Sequence, residues 1–340
     1  IVVSLPFMDK SFVSNIKTHL SESKKIVVIP HLSPDADALG SCLAIYHFFN
    51  KNHEVSIISP NEYSEVLKFL PGENIIYRFD LSQDKSVKLI NDAEVIFILD
   101  FNNLNRVRKL SPYIKESDAI KIMIDHHESP DDFAEYSYCD PSMSSTCEMV
   151  YNFLSKYNKD AIDKKIAECI YTGIVADTGS FRFPSTTSDT LRIASDLIKI
   201  GVEIDSIYQN LFNNYQFSRL KLLGKTLENF KKVKDLPVMY SLLSDEDQKI
   251  NNFKKGDTEG FVNFGLSIEG ILCSVLMIEK KDEGIVKLSF RSKGDITVND
   301  FAANFFNGGG HIHAAGGVSH LSLAETEEKF LTDILTHLKS

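Results

Sequence analysis

The chain has no Cys-x-x-C pair, no apolar run long enough to cross a bilayer and no surplus of basic residues, and each absence removes a class of protein. Its five cysteines, Cys42, Cys139, Cys147, Cys169 and Cys273, are scattered and odd in number. Neither a disulfide framework nor a thiolate zinc site is therefore indicated, and a reducing cytoplasm fits best. The opening residues 1–8 are apolar, too short to span a membrane and preceded by no basic segment, so neither a signal peptide nor a membrane anchor is expected. A formal charge of −10 argues against a protein that coats long nucleic acid through a broad basic face. An anionic substrate must then be held locally, and divalent cations captured by carboxylates would supply the missing positive charge. No internal repeat and no low-complexity stretch is visible.

What is present is enough apolar material for two cores. A chain of 340 residues with 43% hydrophobic side chains sits more comfortably as two domains than as one, which leads us to expect two lobes and a cleft. From residue 24 to 125, short apolar runs alternate with longer helix-like stretches, the pattern of a parallel sheet wrapped by helices. Strands are expected over 26–30, 55–59, 95–100 and 119–125, and helices over 38–50, 146–157 and 161–176. Ser145 or Thr146, with Glu148 close behind, reads as a helix start. A long helical run with little strand propensity spans 188–234, and β-rich runs follow at 238–243, 271–279 and 285–290 before a closing amphipathic helix over 323–338. The expected architecture is α/β: an N-terminal parallel-sheet domain (1–190) with helices on both faces, a helical linker (191–234) and a smaller C-terminal α/β domain (235–340).

Four groups of acidic and histidine side chains fall where catalytic groups of open parallel sheets belong, at the carboxyl ends of elements. His31, Asp35 and Asp37 lie between the first strand and the first helix; Asp100 ends the apolar run 95–99; Asp125-His126-His127 follows the fourth strand; Asp177 ends an apolar helix. Any one carboxylate of this kind is commonly a cap or turn residue. Four such groups in one sheet domain are far harder to explain as unrelated caps. An acidic residue at a helix C-terminus also needs compensation, which a cation beside Asp177 would provide. Because consecutive strand residues point to opposite faces, His126 and His127 should differ in role. We expect His126 as a ligand, His127 reaching toward substrate or its attacking water, and Asp125 orienting the histidines. Hard oxygen donors with two imidazoles and no thiolate suit Mn²⁺ or Mg²⁺ better than structural zinc.

The pattern His31-x-x-x-Asp35-x-Asp37, Asp100, Asp125-His126-His127 and Asp177-Thr178-Gly179 resembles the four motifs of the DHH phosphoesterases, in order and in separation. Phe290-Arg291-Ser292 and Gly308-Gly309-Gly310-His311 through Ala314-Ala315-Gly316-Gly317 resemble the signature of the DHH-associated C-terminal domain, so that the matches span nearly the whole chain. The stretch from Phe101 to Arg106 is only loosely similar to the second motif; Asp100 carries over and Arg106 does not. The resemblance implies two Mn²⁺ ions, with Mg²⁺ as the alternative, that activate a water for in-line attack on phosphorus. His31 and Asp35 would hold one ion, Asp37, His126 and Asp177 the other, and Asp100 both. His127 and Asp100 are the catalytic candidates. Arg291, Ser292, Gly309, Gly310 and His311 would bind substrate, glycines admitting it closely while Arg291 and His311 donate to phosphate or nucleotide edges.

The two-lobe size resembles the nanoRNase and pAp phosphatase group of that family, which implies short single-stranded oligonucleotides or small nucleotides as substrates and no membrane partner. Association into a homodimer stays open. A cyclic-di-AMP or pApA phosphodiesterase shares the same motifs and is the rival enzyme. A catalytically silent nucleotide-binding module would have lost ligands, and a structural metal site would lack open coordination positions.

Overall fold

The structure, a computed structural model, describes residues 10–214, 216–254 and 256–338. The apolar stretch 1–8 lies outside the described residues. The chain divides into two compact units, Ile1–Asn214 and Tyr215–Ser340.

The first unit is built on six parallel strands, β1 (Lys25–Ile29), β2 (Glu54–Ser59), β3 (Tyr77–Arg78), β4 (Val95–Leu99), β5 (Ile120–Asp125) and β6 (Tyr136–Cys139), in the order β3-β2-β1-β4-β5-β6. The central strands read as unbroken apolar runs because both of their faces are covered. In β4, Phe97 and Leu99 face one core and Ile96 and Ile98 the other. The first core is closed by α1 (Lys10–His19), α2 (Ala36–Phe49), α5 (Thr146–Asn158) and α6 (Lys164–Asp177), the second by α3 (Gln83–Asp92) and α4 (Ser111–Glu116). Strand order reverses between β1 and β4, which opens a crevice at the carboxyl ends of those two strands.

The segment 191–234 is shared between the units. Helices α7 (Ser188–Ile200) and α8 (Ile204–Phe212) bury Ile193, Leu197, Ile207 and Leu211 in the first core. Helix α9 (Phe217–Glu228) buries Leu222 with Leu243, Phe261 and Leu276 of the second unit. A short strand, β7 (Lys231–Lys232), also falls inside this run, where the sequence shows no β signal. Its formation depends on pairing with β8 (Val238–Leu243) rather than on local propensity.

The second unit is a mixed sheet in the order β11-β12-β10-β9-β8-β7, which adds β9 (Cys273–Lys280), β10 (Ile285–Ser292), β11 (Gly309–His311) and β12 (Ala314–Ser319). Strands β8 and β9 run parallel, and the other neighbours are antiparallel. Two short helices, α10 (Asp245–Ile250) and α11 (Asn263–Leu266), flank it, while α12 (Asn299–Phe306) and α13 (Leu323–His337) cover a core of Val275, Leu288, Phe290, Phe301, Phe306 and Phe330. Helix α13 starts on a capping box in which Ser322 and Glu325 satisfy each other's backbone donors. Among the described residues no helix is long and apolar enough to cross a membrane.

Candidate metal centre

The crevice of the first unit collects every acidic and histidine residue singled out there. His31 follows β1, Asp100 follows β4, Asp125 ends β5 with His126 and His127 beyond it, and Asp177 is the last residue of α6. Asp35 is the N-cap of α2: Oδ1 accepts from the backbone N–H groups of Asp37 and Ala38, while Oδ2 stands 3.7 Å from His31 Nε2. Asp35 thus uses one oxygen as a helix cap and turns the other toward His31. Asp100 has a left-handed backbone, φ 65°, an unfavourable state for a residue with a Cβ and one that collects at functional sites.

Two donor groups meet at Asp100, which belongs to one and stands 3.7 Å from His126 of the other. His31 Nε2 is 3.3 Å from Asp100 Oδ2, and with Asp35 these form one cluster. His126 Nε2 is 4.0 Å from Asp37 Oδ2 and 3.4 Å from Asp177 Oδ2, and these three residues form a second; the same nitrogen is 3.7 Å from Asp100 Oδ1. Donors about 2.1 Å from one octahedral ion stand about 3 Å apart when adjacent and about 4 Å when opposite. The separations fall in that range.

The imidazoles are oriented from behind. His31 Nδ1 is 2.9 Å from the Leu32 carbonyl and His126 Nδ1 3.3 Å from the Met143 carbonyl. A carbonyl only accepts, so Nδ1 carries a proton in both rings and Nε2 is the nitrogen turned toward the carboxylates. His127 Nδ1 is instead tied to Asp125 Oδ1 at 2.7 Å, and its ring crosses that of His126 at 74°. The adjacent histidines are therefore held differently.

The electrostatics call for a cation. Asp37 and Asp100 are each 2% exposed. Burial, together with the charges of Asp100 and Asp177, pushes Asp37 well above the ordinary carboxylate range. Burial would raise Asp100 as well, but the hydrogen bond from His31 and the nearby histidine charges hold it well below that range. His31 is raised to about 10: burial opposes its charged form, and hydrogen bonds to Asp100 and Asp35 outweigh that cost. Buried like charges of this density are compensated by ion pairing or by metal coordination. The donor set fits hard divalent cations.

Two supports were not read as parts of the site. The N-terminus of α5 grips two carboxylates at once: Thr146 N and Cys147 N donate to Asp37 at 2.7 and 2.9 Å, and Thr146 Oγ1 donates to Asp100 Oδ1 at 2.9 Å. The Ser145-Thr146-x-Glu148 helix start was the available signal, and Ser145 does cap α5. Asn102, nearly buried, donates through Nδ2 to the carbonyls of His127 and Glu128 at 2.9 and 3.1 Å. No local pattern marks it.

The residues singled out in the second unit gather around β10, β12 and β11. Arg291, Ala314 and His311 stand opposite one another across these strands, so Arg291 and His311 project from the same face. Ser292 is buried and its Oγ lies 3.0 Å from His313 Nδ1. Gly308 and Gly310 are required by the neighbouring strand, since a Cβ on either would strike the carbonyl of Gly316 or Ala314, whereas Gly309 borders open space.

Residues 25–174 match the DHH family, N-terminal domain, and residues 223–340 match the DHHA1 domain. The chain belongs to the DHH family. It is 29% identical to the probable bifunctional oligoribonuclease and PAP phosphatase NrnA of Streptococcus mutans, over 92% of this chain and 96% of that one. It is 28% identical to the bifunctional oligoribonuclease and PAP phosphatase NrnA of Bacillus subtilis, over 92% of this chain and 95% of that one. The crystal structure of an exopolyphosphatase-related protein from Bacteroides fragilis superposes with a TM-score of 0.93 at 38% identity, covering 97% of each chain. As a DHH-family member with such relatives, the chain is a phosphoester hydrolase.

Proposed function

We propose that this enzyme hydrolyses short oligoribonucleotides and 3′-phosphoadenosine 5′-phosphate with two Mn²⁺ ions held in the crevice of the first unit. The observation that carries this reading is the pair of donor clusters that meet at Asp100, one containing it and the other reaching it through His126 at 3.7 Å. His31 and Asp35 would hold one ion, Asp37, His126 and Asp177 the other, and Asp100 would contribute to both. When bound, the cations neutralise charge on the phosphoryl oxygens and make a water acidic enough to attack phosphorus near neutral pH.

The chain's own groups position and hold protons. Asp125 accepts from Nδ1–H of His127 at 2.7 Å, which fixes the ring and leaves Nε2 to meet the reacting phosphate or its attacking water. The Asp37 carboxylate is kept in place by the α5 amides rather than by a side-chain cation, which leaves its outer lone pairs for the metal. In the DHHA1 domain, Arg291, Ser292, Gly309, Gly310 and His311 bind the rest of the nucleotide. Residues 1–190 thus carry the chemistry, 235–340 the substrate grip, and 191–234 join them. Relatives of matching length that act on oligoribonucleotides and PAP support short substrates over long ones. Five buried, unpaired thiols are compatible with a reducing cytoplasm as the place of action.

The test is product analysis of metal-stripped protein resupplied with Mn²⁺ or Mg²⁺ and offered pAp, a short oligoribonucleotide and cyclic-di-AMP, beside an Asp100→Ala control. Consumption of pAp or the oligonucleotide by the loaded wild type only supports the reading. Preferential loss of the cyclic dinucleotide replaces it with the phosphodiesterase rival, and no turnover of any of the three rejects it.

A further inference from the structure

The turn that follows α6 has a conformation that metal ligation by Asp177 does not require. Gly179, Ser180 and Phe181 are three consecutive left-handed residues, with φ of 54°, 64° and 63°. L-residues visit this region as isolated positions, so a run containing two side chains must be enforced by its surroundings. The enforcing residue is Thr178, fully buried beneath the turn. Its hydroxyl accepts from Phe181 N at 2.9 Å, and its carbonyl accepts from Arg182 N and Phe183 N, both at 3.0 Å. Ser180 N donates to the Val175 carbonyl at 2.8 Å.

This path separates two phenylalanines that sequence spacing cannot distinguish. Phe181 turns inward and meets Tyr171 edge-on at 6.1 Å. Phe183 turns outward and stays 45% exposed, with the tip of its ring lying over Gly179 so closely that a Cβ there would come within 2.5–2.9 Å of it. Between them Arg182 is exposed, tethered by its Nε to the Gly179 carbonyl at 2.6 Å, and has no carboxylate partner among the described residues. All this stands two to six residues beyond Asp177, whose Oδ2 is 3.4 Å from His126 Nε2. An exposed aromatic ring and a guanidinium with no carboxylate partner among the described residues thus follow Asp177 of the donor cluster directly in a chain with a net charge of −10.

We propose that the Gly179–Phe183 turn is a nucleotide subsite in which the Phe183 ring stacks on the base next to the scissile phosphate and the Arg182 guanidinium donates to a phosphate oxygen. The proposal rests on the nucleotide-hydrolase reading above and names the group that holds the base. An aromatic face accepts any base, because every base has a π-surface, and so suits an enzyme that trims short strands without regard to sequence. The guanidinium supplies charge-assisted hydrogen bonds to an oxyanion.

The chain contains no tryptophan, so Phe183→Trp introduces a single indole at the subsite. Its emission is expected to be quenched by AMP and left unchanged by ribose 5-phosphate, which has the phosphate and no base. Phe183→Ala should raise KM for a ribodinucleotide by roughly 5- to 100-fold, the usual range for one lost base stack, with kcat held within about twofold. Phe183→Trp should keep the wild-type KM, and a dinucleotide with an abasic residue should not discriminate among the variants. The subsite is overturned if AMP inhibits hydrolysis competitively while the indole emission does not move, or if Phe183→Ala leaves the dinucleotide KM unchanged in an enzyme that turns it over. A wild-type protein that hydrolyses no nucleotide and is not bound by AMP would instead overturn the hydrolase reading, and the subsite with it.

Discussion

Thr146 Oγ1 donates to Asp100 Oδ1 at 2.9 Å, joining the first turn of α5 to the carboxylate at which the two donor clusters meet. The same residue's backbone N–H holds Asp37, so one helix terminus sets the spacing between the two clusters. Groups that orient metal ligands from behind are worth about 10- to 100-fold in affinity or activity. Thr146→Val keeps the shape and removes the hydroxyl; its Mn²⁺ requirement should rise and its activity fall by that order, and Thr146→Ser should restore both. A Val variant with unchanged metal dependence would show that the hydroxyl contributes nothing to the centre.

Asn102 bears on His127 rather than on the clusters. Its amide pairs the carbonyls of His127 and Glu128, and Asn102→Ala leaves two backbone acceptors without this donor, a loss of roughly 1–3 kcal/mol each where water cannot enter. We expect a lower Tm and a reduced kcat with Mn²⁺ affinity retained, since His126 is anchored separately through Met143. Equal losses of metal affinity and kcat would contradict this division.

Gly173 sits where α6 meets α2 and α5. An added Cβ would strike Cys147 Sγ and come within 2.8 Å of Asp37 Oδ1 and 3.0 Å of Asp37 Cα. Gly173→Ala should cost about 1–3 kcal/mol of stability through overpacking and should weaken metal binding, because the displaced atoms include a proposed ligand. Thermal melts with and without Mn²⁺ separate the effects: a variant that loses Tm and keeps the full metal-induced shift would place Asp37 outside the centre.

Proton competition fixes the direction of the pH dependence. In the metal-free protein His31 is raised from 6.5 to about 10, by hydrogen bonds to Asp100 and Asp35 that overcome its burial. A raised folded value means that this contribution to stability is complete below about pH 6.5 and is lost as pH climbs toward about 10. A cation at the same place must displace the His31 proton, so metal affinity rises with pH by up to about tenfold per unit for each proton released. The Tm difference between metal-loaded and metal-free protein should therefore widen from neutral pH to about pH 9. A difference that stays constant or narrows would mean that the His31 proton does not compete with the metal.

Much of this was legible in the chain itself. Strands β1, β4 and β5 are apolar runs that end on abrupt polar residues, and burial on both faces of a parallel sheet demands that pattern. The candidate ligands could be named because they stand where those runs stop. Short strands such as β3 and β6 were not legible, being only partly buried and held by their neighbours in the sheet.

What the sequence by itself determined is the chemistry available: which residues are hard donors, that no thiolate accompanies them, and that each lies at the end of an element. Only the tertiary structure decided how they are used. Asp35 and Asp37 are two residues apart, yet one caps its own helix beside His31 and the other turns to α5, whose amides lie 109 and 110 residues away. Phe181 and Phe183 are also two apart, yet one packs against the core and the other is exposed. Local propensity and periodicity act over a few residues, whereas these roles are set by packing partners distant in the chain, and no local pattern encodes a partner that folding alone brings near.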